Sequence, residues 1–289
     1  MITTDELRRT LGPLGIWMPP PARIGIEPES YAREIEAAGF TSVWYPGMNS
    51  AADLAAVEAA LAATESLVLG TGIASIWTWR PGELAAAADR LESQYPGRFV
   101  LGLGVSHAPP VEATGQAYVK PYTKMVRFLD DLPAVGAPVV LAALGPRMLE
   151  LARDRTAGAH PYFTPPEHTA FARQTLGAAP LLVPEIALSL TPGDAGAAHA
   201  RDYAKFYLRL PNYTGNLRRF GYTDADIENG GSDRLLSDVV PHGPEESLAR
   251  ITAHREAGAD HVLVQLIGEG GKFAPGDLKA LAELTAGLR

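Results

Sequence analysis

Eight short apolar runs, spread through 289 residues, constrain this chain more than any single motif does. They are "LGIWM" at Leu14, "TSVWY" at Thr41, "SLVLGTGI" at Ser66, "RFVLGLGV" at Arg98, "APVVLAAL" at Ala137, "GAHPYF" at Gly158, "LLVPEIALSL" at Leu181 and "DHVLVQLI" at Asp260. Between them lie alanine-rich, charged segments whose apolar residues recur at helical spacing, over residues 29–38, 51–64, 82–94, 118–132, 146–155, 166–176, 195–210 and 244–257. A strand followed by a helix, eight times over, predicts a closed parallel (β/α)8 barrel of TIM type, one α/β domain over residues 1–289. An open doubly wound sheet is the competing arrangement. Against it, neither "GTGIAS" nor "GLGVSH" completes the third glycine of a dinucleotide fingerprint. "GAHPYF" is the thinnest of the eight strands, with few apolar residues before Pro161.

Composition narrows the partners. A chain with 46% hydrophobic and 20% charged residues can bury a large core. Its formal charge of −8 argues against nucleic acid or an anionic membrane as the main partner. With no cysteine there is no disulfide, thiolate nucleophile or sulfur-bound metal. "MITTDELRRTLGPLGIW" carries acidic residues and no apolar signal core, and the uncharged stretch over residues 66–79 is too short and too glycine-broken for a bilayer. The expected setting is cytoplasmic, the expected partner a small-molecule substrate, and a homodimer is compatible with the sequence.

In such barrels the chemistry gathers where strands run into helices. Here those places hold Trp17 and Met18, then residues 45–49, "ASIWTWR", "SHAP", "LGPR", "HPYF", Glu185 and Gln265. Aromatics, glycines and neutral polar groups dominate. Glu185 is the one obvious carboxylate, read either as a site acid or as a buried acid paired with a base, so a two-carboxylate hydrolase is poorly supported. His107 and His160 lie in no spaced ligand pair, and no metal is expected. What remains is a flat, apolar, hydrogen-bonding slot suited to a planar cofactor. In "LAALGPRMLELA", Gly145 can cap a helix and Pro146 open it, while Met148, Leu151 and Ala152 supply its buried stripe. A helix N-terminus so placed binds phosphate or carboxylate; Arg147 is either a fixed cation beside it or a solvated first-turn arginine.

Taken in order, "GFTSVW", "LVLGTGIASI", "GRFVLGLGVSHAP", "ALGPRMLELA", "GAHPYF", "FYLRLPNY" and "AGADHVLVQ" resemble the luciferase-like monooxygenase superfamily, in particular its branch that uses the deazaflavin coenzyme F420. The resemblance runs from about residue 14 to 267 and implies hydride transfer between the coenzyme and a small organic substrate. It assigns Ser75 and Ile76 to a bulge with a non-proline cis peptide under the central ring, Ser106 and His107 to the loop beside the cofactor, and Gly145, Pro146 and Arg147 to its phosphate-bearing tail. Gly104, Ala143 and His160 complete the expected cofactor wall, with Trp17, Met48, Trp77, Glu185 and Gln265 around the substrate. The alanine-, arginine-, glycine- and proline-rich composition fits a high-GC actinobacterial source.

One departure matters. Where related dehydrogenases carry an acidic residue and then histidine after strand two, "VWYPGMNS" places Gly47 and Met48. The expectation is therefore a reductase of an unsaturated or imine substrate, with the proton from His107, Tyr45 or water. The alternatives are an FMN-dependent monooxygenase and a cofactor-binding barrel without catalysis. The long segment over residues 201–231 spaces Tyr203, Phe206, Tyr207, Leu210 and Tyr213 to cover an apolar surface, with Pro211 ending the helix, either as core cover or as a lid.

Overall fold

All eight runs become strands of one parallel sheet in the computed structural model, which describes residues 2–289. The strands are β1 (Leu14–Trp17), β2 (Ser42–Tyr45), β3 (Val68–Thr71 and Ala74–Ser75), β4 (Phe99–Gly104), β5 (Val139–Leu141), β6 (Gly158–Ala159), β7 (Leu181–Leu182 and Glu185–Leu188) and β8 (Val262–Leu266). Each pairs with the next, and β8 returns to β1. β7 closes the ring in two steps: its first piece pairs with β6 and its second with β8. β6 is as thin as its sequence implied, two residues long.

Alternation along the strands sorts side chains between two environments. In β2, Val43 and Tyr45 pack outward against the helices, while Ser42 and Trp44 point into the barrel. The interior takes bulky groups because the facing positions are glycine. A Cβ on Gly70 would sit 2.3 Å from the Trp44 ring, and one on Gly102 would sit 1.9 Å from the Thr71 carbonyl oxygen. At the N-terminal end of the barrel, the helix Thr4–Leu11 inserts Leu7 and Leu11 into the apolar cluster formed by Trp44, Val68, Val100 and Leu263. A capping box starts that helix, with Thr3 and Glu6 each accepting from the other's backbone N–H.

Between Gly70 and Ala74, β3 spends one residue more than β4 does between Val100 and Leu103, so the ladder bulges. Thr71 bridges the gap with its hydroxyl, which donates to the Gly102 carbonyl and accepts the Gly102 N–H, both at 2.8 Å. The cis peptide expected at Ser75–Ile76 falls instead at Gly72–Ile73, inside this bulge.

The segment between β7 and β8 folds into helices Gly193–Tyr207, Pro211–Arg219, Asp224–Ile227 and Asp233–Val239. The first ends at Tyr207, four residues before Pro211, so Pro211 does not end it as expected but opens the second. Tyr203, Leu210 and Tyr213 are buried in a second core with Leu217, Leu235 and Val240, whereas Phe206 is 57% exposed. No helix among the described residues is long and apolar enough to cross a membrane.

Candidate active site

The C-terminal ends of the strands surround a cavity of about 740 Å³, roofed on one side by the inserted helices. Its floor is the β3 bulge: Gly72, Ile73 and Ser75 line it. Trp17, from the end of β1, donates its indole N–H to the Gly72 carbonyl at 3.1 Å and lies parallel to the Tyr162 ring, 6.4 Å away. These contacts leave Gly72 no room for a side chain, since a Cβ there would come 2.8 Å from Trp17 Nε1 and 3.3 Å from His160 Nε2. The resulting floor is flat, aromatic and neutral.

One wall follows β4. Ser106 adopts a left-handed φ of 54°, which turns the chain from the strand into the short helix Ala108–Glu112, and His107 caps that helix. The His107 ring faces Tyr213 at 5.4 Å between centroids, and burial without a charged partner lowers its pKa. The opposite wall carries His160 and Glu185, 3% and 2% exposed, with His160 Nε2 3.5 Å from Glu185 Oε2. His160 Nδ1 donates to the Val183 carbonyl at 2.8 Å, and burial pushes its pKa down to about 4. Burial raises Glu185 well above the usual carboxylate range.

The mouth is positive. Gly145 caps the helix Pro146–Arg155 from an extended conformation with proline at its first turn, as the sequence implied. Arg147 packs its guanidinium over Tyr122, 4.0 Å from the ring centroid, and so is held rather than merely solvated. Arg219, from the second inserted helix, reaches the same place: its Nη1 lies 3.1 Å from where a Gly145 Cβ would stand. With Arg23, three arginines line the cavity against one carboxyl, Glu185. An anionic group at a helix N-terminus between arginines is the ligand such a mouth favours.

Of the residues anticipated from sequence, Trp17, Ser75, Ser106, His107, Ala143, Gly145, Pro146, Arg147, His160 and Glu185 share this cavity. Six others do not line it. Tyr45 belongs to the outward face of β2 and is wholly buried among helices, its hydroxyl without a partner. Met48 and Ile76 are core residues, and the Met48 carbonyl accepts the Trp79 indole N–H. Trp77 lies behind the β4 loop, donating to the Val105 carbonyl at 2.6 Å. Gly104 points inward but is covered by Ile73, 2.6 Å from its would-be Cβ. Gln265 also points inward, where the Tyr203 hydroxyl bonds it and screens it from the cavity. The sequence reading missed Arg219, Asn212 and Arg23 as wall residues, whereas Tyr207 and Tyr213, read as core cover or lid, do line the cavity. The helical spacing of Asn212 and Arg219 puts them on one face, but nothing local says that this face closes the barrel mouth.

Known proteins share the fold. Residues 27–135 match the family model described as luciferase-like monooxygenase. The chain is 28% identical over 154 residues to a 5,10-methylenetetrahydromethanopterin reductase of Methanolobus tindarius, covering 44% of this chain and 47% of the relative; the match thus spans about half the length of that relative. The coenzyme F420-dependent tetrahydromethanopterin reductase of Methanopyrus kandleri superposes with a TM-score of 0.74 at 15% identity, covering 97% of this chain and 100% of that one. The oxygenating constituent of 3,6-diketocamphane monooxygenase from Pseudomonas putida, solved with FMN, gives 0.65 at 13% identity over 96% of its length and 95% of this chain. The chain is therefore similar in sequence to the luciferase-like monooxygenase family through residues 27–135, and it shares the fold of these solved structures over nearly its whole length.

Proposed function

We propose that this protein is a coenzyme F420-dependent oxidoreductase working as a reductase on a small organic substrate, with FMN as the alternative cofactor. The observation that carries the reading is the pairing, in one cavity, of a flat neutral floor at Gly72–Ser75 with an arginine-flanked helix N-terminus at Gly145. A planar ring joined to a phosphate-bearing tail matches both ends. When bound, such a coenzyme exchanges a hydride at its central ring. Trp17 and the bulge would seat the ring, while Arg147 and Arg219 would hold the anionic tail and so fix its direction. The inserted helices, through Tyr207 and Tyr213, would keep water from the inner end. Both the reductase from Methanolobus and that from Methanopyrus support a reductive role by their names, and the FMN-bound monooxygenase supports the alternative.

Fluorescence titration with oxidised F420 and with FMN tests the proposal. The expected result is a preference for F420 of about tenfold or more, equivalent to about 1.4 kcal/mol. Equal or tighter binding of FMN would move the protein to the flavin branch, and binding of neither would remove the cofactor reading.

A further inference from the structure

Glu185 is a carboxyl that the coenzyme reading leaves without work. Its Oε1 has no hydrogen-bond partner, although the side chain is 2% exposed and lines the cavity. No arginine or lysine lies within ion-pair distance of it among the described residues; the one basic group at that range is His160, and the phenols of Tyr162, Tyr203, Tyr207 and Tyr213 lie near enough that a charge on Glu185 would raise their pKa. The tautomer of that histidine is dictated by its other nitrogen. Because Nδ1 donates to Val183, a neutral ring presents a bare Nε2 toward Glu185 Oε2 at 3.5 Å. A buried carboxylate facing a lone pair, with no cation and no donor, is unfavourable, and the acid form is the one this pocket accommodates.

We propose that Glu185 is the proton donor of this site, acting on the electron-rich end of a polarised C=N, C=O or C=C bond held at the inner end of the cavity. The proposal rests on the reductase reading. Reducing such a bond consumes a hydride, brought by a reduced deazaflavin or flavin that is oxidised in the same event, and one proton. The π bond breaks as a C–H bond forms at the electrophilic carbon. The Glu185 O–H bond breaks as its proton joins the other atom, leaving a carboxylate and a neutral product. Without a cation beside it, that carboxylate regains a proton from water admitted as product leaves. The same lack of a cation disfavours anionic substrates here, so the inner end selects neutral acceptors, whereas the mouth selects the anionic tail.

Two measurements test this. Infrared difference spectra of the protein without coenzyme, wild type against Glu185→Gln, should show a protonated carboxyl band belonging to Glu185 at neutral pH; a carboxylate band instead would overturn the proposal, whatever the cofactor. With reduced F420 and cyclohex-2-enone as probe, Glu185→Gln should lose about a hundredfold or more in turnover while binding coenzyme as the wild type does. Glu185→Asp should recover part of the loss and shift the alkaline limb of the rate profile. Unchanged turnover in Glu185→Gln would also overturn the donor role. Failure of the wild type to bind any coenzyme would sink the functional reading instead, while the infrared band still decides by itself whether Glu185 holds a proton.

Discussion

Two buried histidines inside the same barrel have opposite fates. His261, toward the N-terminal end, uses both ring nitrogens, with Nε2 2.8 Å from Ser42 Oγ and Nδ1 2.9 Å from the Gly12 carbonyl. His160, toward the C-terminal end, uses one nitrogen and leaves Nε2 with only the long contact to Glu185. Both are fully buried, and burial lowers both to about 4. Burial and protonation therefore do not distinguish structure from site. The satisfied ring is a fastener; His160 is set apart not by its unused nitrogen, since His168 and His254 also leave one ring nitrogen without a partner, but by lining the cavity beside Glu185.

The largest effect should come from acid, which treats the two histidines alike. His160, His168 and His261 fold with values of about 4 and His254 with about 3, all below the unfolded value. Below about pH 6.5 the unfolded chain takes up protons that the folded chain refuses, so stability is complete above that pH and is lost as pH falls toward the folded values. Each histidine then costs about 2 kcal/mol by about pH 5, in a domain whose whole stability is commonly about 5–15 kcal/mol. Glu185 acts oppositely, because its raised folded value makes the folded state lose ground as pH rises above the ordinary carboxylate range. Denaturant titrations across this window should show a net uptake of about three protons on unfolding. A flat profile would contradict the burial of these rings.

Truncation should separate what acid does not. His261→Ala strands Ser42 and the Gly12 carbonyl inside a closed interior and should cost about 2–4 kcal/mol of unfolding free energy. His160→Ala opens onto an existing cavity that water can enter and should cost about 1–2 kcal/mol, while disturbing ligand binding more. Equal stability costs would erase the distinction between fastener and site. At the mouth, Arg147→Ala and Arg219→Ala should each weaken coenzyme binding by about 1–2 kcal/mol with little change in stability. Both losses should shrink as salt rises, because rim charges are screened.

The barrel was legible because its eight strands are separated by amphipathic helices, a pattern that depends only on period and length. The helix cap at Gly145–Pro146 was legible for the same local reason. Which side chains reach the cavity was not. Tyr45 and Trp44 are neighbours in sequence and both aromatic, and only the phase of β2 against the barrel interior decides that Trp44 turns inward and Tyr45 outward. Gln265 has the right phase but is screened by Tyr203, which arrives from an insertion sixty-two residues earlier. Arg219 reaches Gly145 by the same long route. Positions fixed by distant chain segments leave no local mark, whereas caps and strand periods do.

The Thr71 hydroxyl has a consequence for how the floor can be watched. Where the bulge interrupts the ladder, one side-chain oxygen holds the Gly102 amide in place of a backbone carbonyl. That amide lies inside the sheet, yet its protection against exchange with solvent deuterium depends on a rotatable hydroxyl directly under the cavity floor. Its exchange rate is thus a built-in gauge: a ligand that stiffens the bulge slows it without touching it, and Thr71→Val, which keeps the shape and removes the oxygen, disconnects the gauge.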